Sequence, residues 1–335
     1  MSALDNIRSR LPSGWRLSIR PARTGTHRRA RIVAPDGRAR DLTVLERRDI
    51  DPRTAMQLFA KNGGGIPDIL AARYLSPEVR RRLIETGVGF VDTTGNIRLV
   101  LSEPGLFIDA QGADRDPSPR RRPSRTLAGA KAGRVVRALC ERKGTWGVRE
   151  LAEATGVDAG YVSRLLKFLD REALVDRGPR GSVRVPDWHR LIKRWAECAP
   201  LTSRGQTLRC IAPRGVADVL GKLTKARVPH AVSGSFAASR IAPVIPPRLL
   251  LLYVGRADVA RDQLGLRSTE VGSNVLLIEP KDQSIVEKAT LNGEGSRWAP
   301  LTLVVADLLT SSDRGPAEAD ALIDWMERNE DQWRE

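Results

Sequence analysis

The chain has 335 residues, 41% of them hydrophobic, and carries 56 Lys and Arg against 40 Asp and Glu, a formal charge of +16. That length suggests two or three domains with ample core. The longest apolar run, Leu249 to Val254, is strand-sized, the N-terminus lacks the apolar stretch of a secretion signal, and Cys140, Cys198 and Cys210 form no C-x-x-C pair. A membrane span, a disulfide framework and a zinc site are therefore disfavoured, and a reducing cytoplasm is the expected setting.

The charge is unevenly placed. Residues 1–116 carry 20 Lys and Arg against 14 Asp and Glu, residues 117–194 carry 19 against 8, and residues 200–335 carry 17 against 17. The excess sits on the middle of the chain and, less strongly, on its first third. That is an electrostatic footprint for nucleic acid with a neutral domain appended.

Residues 1–114 read as an α/β domain. Trp15 to Arg20 alternates like a strand, and Arg31–Ala34 and Leu42–Leu45 flank the turn signal Pro35-Asp36-Gly37. Asp51-Pro52 opens a helix with Ala55, Leu58 and Phe59 inside it, and Ile66 to Ala72 reads as a buried strand. Ser76-Pro77-Glu78 starts a helix that runs to Gly87; strands follow at Val88–Val91, Ile97–Leu101 and Leu106–Ala110. The text GVGFVDTTGNIRLVL, then GLFIDAQG, resembles a domain of the restriction-endonuclease-like fold that precedes a winged helix in many bacterial proteins. Active members of that fold hold Mg²⁺ with an Asp on one strand and an acidic-x-Lys triplet on the next. The resemblance puts Asp92 in the first position and Asp109-Ala110-Gln111 in the second, with a neutral amide where the Lys belongs. The domain is expected to be non-catalytic, and Asp92 to be a turn residue bonding backbone N–H groups.

Residues 115–125 are Pro- and Arg-rich, with nothing large and apolar to pack, and read as a linker. Residues 126–198 then hold three helical patterns and a basic hairpin. Val135, Val136 and Leu139 share one face; Val148, Leu151 and Ala152 share another, ending at Gly156. Asp158 caps a third helix over 159–173 whose inward face is Val162, Leu165, Leu166 and Leu169. Its outward face starts with Ala159, Gly160, Tyr161, Ser163, Arg164 and Lys167. Small, hydroxylated and cationic residues there let a helix enter the major groove and donate to base edges and phosphates. Leu174–Asp176 and Val183–Val185 pair around Gly178-Pro179-Arg180-Gly181, a wing carrying Arg177, Arg180 and Arg184. Arg149, on the second helix, completes the candidate DNA-binding set. The text VRELAEATGVDAGYVSRLLKFLDREALVDRGPRGSVRV resembles winged-helix repressors of the MarR and IclR type.

Residues 200–335 alternate strands and helices: strands at 208–212, 230–233, 248–254 and 274–278, helices from Arg214, Gly234 and Pro316. SGSFAASRIAP…PRLLLLYV, NVLLIEP and APLTLVVADLLTSSDRGPAEADALIDWM resemble the C-terminal domain of AbiE-type antitoxins of type IV toxin–antitoxin systems. Gly234-Ser235 is also similar to the start of a nucleotidyltransferase site, but the next strand has no carboxylate to hold metal. A nucleotidyltransferase-like fold without the activity is expected, with Ser235 as a helix cap.

The expectation is an α/β multidomain protein: an endonuclease-like domain, a central winged helix-turn-helix and a degenerate nucleotidyltransferase-like domain. It is expected to be a sequence-specific double-stranded-DNA-binding regulator, cytoplasmic and nucleoid-associated, acting as a homodimer, with no catalytic residue, metal or cofactor. The antitoxin resemblance implies autorepression and a cognate toxin protein as partner. The alternative is a DNA-guided metal-dependent nuclease or nucleotidyltransferase.

Overall fold

The computed structural model describes residues 3–20, 27–60, 66–118, 127–225, 228–291, 295–312 and 314–335, with the side chains of 59 and 60 left aside. The protein is a mixed α/β chain that divides into two compact units: Met1–Pro123 with Asp170–Ala173, and Ser124–Leu169 with Leu174–Glu335. Most of the linker, and the Phe59 side chain, lie outside the described residues.

The first unit runs α1 (Ala3–Arg8), β1 (Arg16–Arg20), β2 (His27–Val33), β3 (Ala39–Arg47), α2 (Pro52–Ala60), β4 (Ile69–Ala72), α3 (Pro77–Glu85), β5 (Gly89–Asp92), β6 (Ile97–Leu101) and β7 (Leu106–Ala110). The seven strands form one sheet in chain order. β3, β4 and β5 are parallel neighbours, joined through α2 and α3, and the other pairs are antiparallel. One face buries Ala30, Ile32, Leu42, Val44, Ile69, Val91, Ile97 and Leu99 with Leu4 and Ile7 of α1. On the other face Leu45, Leu70, Ala72 and Phe90 pack with Ala55 of α2 and Val79 and Leu83 of α3. α2 and α3 therefore cover only the middle of that face.

Local chemistry explains the helix starts: Asp51 accepts from Thr54 N at 2.7 Å, and Ser76 caps α3 ahead of Pro77. Three differences from the sequence reading follow from packing. Ile66 is exposed, and the strand starts only at Ile69. The β2–β3 hairpin is longer than its apolar cores, because alternating Arg residues extend it on the solvent side. The chain is anchored as it enters the linker: Asp114 pairs with Arg80 at 2.6 Å, and Asp116 takes a bidentate bond from Arg73, both contacts 2.6 Å.

The second unit begins with α4 (Ala130–Glu141), α5 (Val148–Thr155), α6 (Ala159–Arg171, its last two residues counted with the first unit), β8 (Asp176–Arg177), β9 (Val183–Arg184) and α7 (Trp188–Cys198). It continues through β10 (Gly205–Ile211), α8 (Val216–Lys225), β11 (His230–Ser233), α9 (Gly234–Ser239), β12 (Leu250–Val254), α10 (Ala257–Leu264), β13 (Arg267–Ser268) and β14 (Val275–Pro280). α11 (Ser284–Glu287), β15 (Thr290–Leu291), β16 (Arg297–Trp298), α12 (Leu301–Leu308) and α13 (Gly315–Arg328) complete it. The large sheet has the order β13-β10-β14-β12-β11-β16-β15, with β12–β14 and β11–β16 parallel and the rest antiparallel.

Val219 and Leu223 of α8 and Ala260 and Leu264 of α10 pack on one face of that sheet. On the other face, Ala231, Leu251, Tyr253 and Ile278 join a core that also contains Leu139 of α4, Leu166 of α6, Trp195 of α7 and Leu303 of α12. The core is thus continuous across the chain junction at Ala199-Pro200. Polar contacts follow the same route: Asp282 pairs with Arg134 at 2.7 Å and Arg137 at 2.9 Å, and the Thr302 hydroxyl donates a hydrogen bond to Glu141 at 2.7 Å. Asp307, fully buried, accepts from Ser233 at 2.7 Å and Tyr253 at 2.8 Å. Arg204 Nε lies 2.6 Å from Asp307 Oδ1 as an ion contact without hydrogen-bond alignment, its guanidinium over the Trp195 ring.

Candidate nucleic-acid interface

α5 and α6 meet through a turn that the sequence encodes residue by residue. Glu150 Oε2 accepts from Gly147 N at 3.1 Å and holds the start of α5. Gly156 ends it at φ 64°, a conformation that costs a side-chain-bearing residue roughly 1–2 kcal/mol. Val157 N then closes onto Ala152 O at 3.0 Å. Asp158 Oδ1 accepts from Tyr161 N at 3.0 Å and caps α6. Val162, Leu165, Leu166 and Leu169 are fully buried, so the opposite side of α6 faces solvent.

That solvent side brings together five of the ten residues expected to contact DNA. Gly160, Arg164 and Lys167 are exposed, and Ala159 and Ser163 are half-buried. Arg149 is exposed on α5. Among the described residues, Arg149, Arg164, Lys167 and Arg180 make no ion pair, so their charge is not spent inside the fold. Tyr161 stands differently: it is half-buried and packs on the core of the second unit. Burial pushes its phenol up, against the opposing charge of Arg164.

The hairpin pairs Asp176 with Arg184 and Arg177 with Val183, two residues shorter in all than the sequence reading, because Leu174 and Val175 turn into the core. Trp146, ahead of α5, adds a bridge to Val183 through bonds of 2.7 and 2.9 Å. This third partner was missed in sequence; its signal is an aromatic residue just before the α5 start. Arg177, Arg180 and Arg184 are exposed, and Arg184 reaches Asp176 at 3.3 Å. Arg180 occupies the left-handed region at φ 56°. The third helix stops at Arg171, short of the expected Ala173, which itself takes φ 55° as the chain turns.

The positions that could have carried catalysis are occupied otherwise. Asp92 is fully buried and accepts from Leu75 N, Thr94 N, Asn96 N and the side chains of Thr94 and Asn96, at 2.7–3.1 Å. Asp109 lies on β7, separated from the Asp92 strand by β6, and its carboxylate pairs with Arg98. The structure therefore does not bring Asp92 and Asp109 to one point, and Gln111 is exposed. Gly234 makes the tight strand-to-helix turn at φ 64°. Ser235 is not the cap expected of it; its Oγ donates to Glu318 at 2.5 Å. β12, beyond that turn, is wholly buried and carries no carboxylate.

Cys140 is fully buried, and desolvation pushes its thiol well up, which fits a core role. No helix among the described residues is long and apolar enough to cross a membrane, and among them no cluster of His, Cys, Asp or Glu is arranged to hold a metal. Comparison with protein-family models, curated proteins and solved structures found no match to this chain.

Proposed function

We propose that the protein is a sequence-specific double-stranded-DNA-binding regulator that reads DNA with a winged helix-turn-helix formed by α4, α5, α6 and the β8–β9 hairpin. One observation carries this reading: α6 exposes Gly160, Arg164 and Lys167 along one side, and among the described residues no carboxylate pairs with the two cations. A helix needs that face to enter a major groove: small residues at its start and unspent cations beyond it. The arginines of the hairpin flank it and fit phosphate contacts. The end regions act by binding rather than catalysis in this reading, supported by the full engagement of Asp92 and the lack of a carboxylate on β12. The antitoxin role, with autorepression and a cognate toxin, is the finer form of the proposal and rests on the text of residues 207–330.

The test is duplex binding across a salt series. Each lost phosphate contact removes about 0.9 from the slope of log K against log salt, so an Arg164→Ala, Lys167→Ala double variant is expected to lose about 1.8. An unchanged slope and affinity in a variant that melts like the parent would sink the reading.

A further inference from the structure

The first unit's sheet has an uncovered flank. α2 and α3 shield β3, β4 and β5, but among the described residues no helix packs on the same face of β1 and β2. It presents Arg16, Ser18 and Arg20 from β1 and His27, Arg29 and Arg31 from β2, all exposed. The register sets Arg20 directly opposite Arg29. Like charges paired across strands repel, a cost that the core does not require, since Leu17, Ile19, Ala30 and Ile32 point the other way. Asp41, opposite Arg31, approaches it only to 4.0 Å, and among the described residues Arg16, Arg20 and Arg29 make no ion pair.

At the edge of β1 this flank runs into a groove of about 550 Å³. Leu11, Trp15 and Leu17 supply its apolar lining, and Arg8 and Arg16 its cations. The combination is asymmetric: a row of cations leading to an apolar recess with an aromatic ring. Residues two apart on a strand are about 6.6–6.8 Å apart, and neighbouring strands lie about 4.8 Å apart, so the four arginines form a compact grid for successive phosphates.

We infer that this flank binds single-stranded nucleic acid, with phosphates on Arg16, Arg20, Arg29 and Arg31 and one unstacked base in the groove beside Trp15. A duplex keeps its bases stacked and offers phosphates alone, which would leave the apolar recess without an occupant; a single strand supplies both a backbone and a base face. DNA and RNA share this chemistry. The inference is independent of the α6 reading, because it uses other residues and another probe.

The experiment uses the full chain and fluorescence anisotropy with oligothymidylate and oligouridylate of about twelve nucleotides, a length within known single-strand site sizes. A duplex and phosphatidylserine vesicles serve as competitors. Arg20→Ser, Arg29→Ser is expected to lower the salt slope for the single strand by about 1.4, at about 0.7 per contact, and to leave the duplex slope unchanged. Trp15→Leu is expected to weaken single-strand binding about tenfold, with Trp15→Phe retaining most of it, since a ring still stacks. Arg164→Ala, Lys167→Ala should weaken the duplex and spare the single strand. Equal losses on duplex and single strand in the Arg20, Arg29 variant, no loss on either, or vesicles displacing the oligonucleotide more readily than unlabelled strand would each overturn the inference. The Arg20 and Arg29 changes are on the surface, so the test stands even where Trp15→Leu lowers the melting temperature. A preference for oligouridylate or oligothymidylate decides between RNA and DNA within it.

Discussion

Arg180 combines a backbone cost with an exposed charge. At φ 56° it sits where an L side chain is disfavoured by about 1–2 kcal/mol, beside Gly181, which carries no such penalty at φ 76°. A glycine would fit the turn at Arg180 better, so the turn does not explain the arginine, and under the proposed function its guanidinium serves a phosphate contact. Arg180→Gly is accordingly expected to raise stability by about 0.5–1 kcal/mol, part of the relief being offset by the added freedom of the unfolded chain. The same change should lower the duplex salt slope by about 0.9. Melting and binding are thus expected to move in opposite senses; a variant that binds as the parent does would remove Arg180 from the interface. Tyr161 shows the complementary case. Its outward position in the sequence and its packing on the core in the structure point to different roles, and periodicity alone does not separate them, because a long ring at an intermediate helical angle can fold back.

At the scale of elements, α5 and α6 were legible because their signals are local: a 3.6-residue apolar period, Gly156 at one end and Asp158 at the other. α12 was not. Val304, Val305 and Ala306 are buried all round it, so no amphipathic pattern marks Leu301–Leu308 as a helix. β13, β15 and β16 are two residues each and have meaning only through their partners. The basic flank was not read from the sequence: the strand was expected only from Arg31, and only the register shows that Arg20 faces Arg29. The α6 cap gives a prediction that separates folding from binding. Asp158→Ala removes the acceptor for Tyr161 N–H and should cost about 1 kcal/mol. Asp158→Asn keeps an acceptor and removes a negative charge at the N-terminal end of α6, so it should melt within a few tenths of a kcal/mol of the parent and, under the proposed function, bind random duplex more tightly at low salt. Weaker binding by the Asn variant would count against α6 approaching phosphates by its N-terminus.

At the scale of the second unit, the neutral charge balance of residues 200–335 pointed to an appended domain, whereas the structure gives it a core shared with α4, α6 and α7. Residues far apart in sequence supply that core, and no local pattern announces such pairing. Stability measured on the unit is then a property of its sheet and its helices together, and His230 offers a way to perturb it. The ring lies buried at the start of β11, with Nδ1 2.8 Å from Val228 O and Nε2 accepting from Arg297 N at 3.1 Å. One nitrogen donates and the other accepts, which requires the neutral ring. Burial lowers its pKa from the ordinary value of 6.5, the Val228 carbonyl opposes this, and the Arg297 charge adds to it. His189 is shifted the same way, again chiefly by burial. With the folded pKa below the unfolded one, protons bind the unfolded chain better. The stabilisation is complete above the unfolded value of about 6.5 and is lost as pH falls through the lower folded value, at no more than about 1.4 kcal/mol per pH unit for each histidine. Glu141 and Asp307, raised by burial, act in the opposite sense, so the parent curve alone is ambiguous. The difference between parent and His230→Asn isolates one ring. The variant is expected to melt lower than the parent at neutral pH and to lose less stability on acidification below about pH 6.5. Parallel melting curves across that interval would show that His230 is not held neutral by the fold.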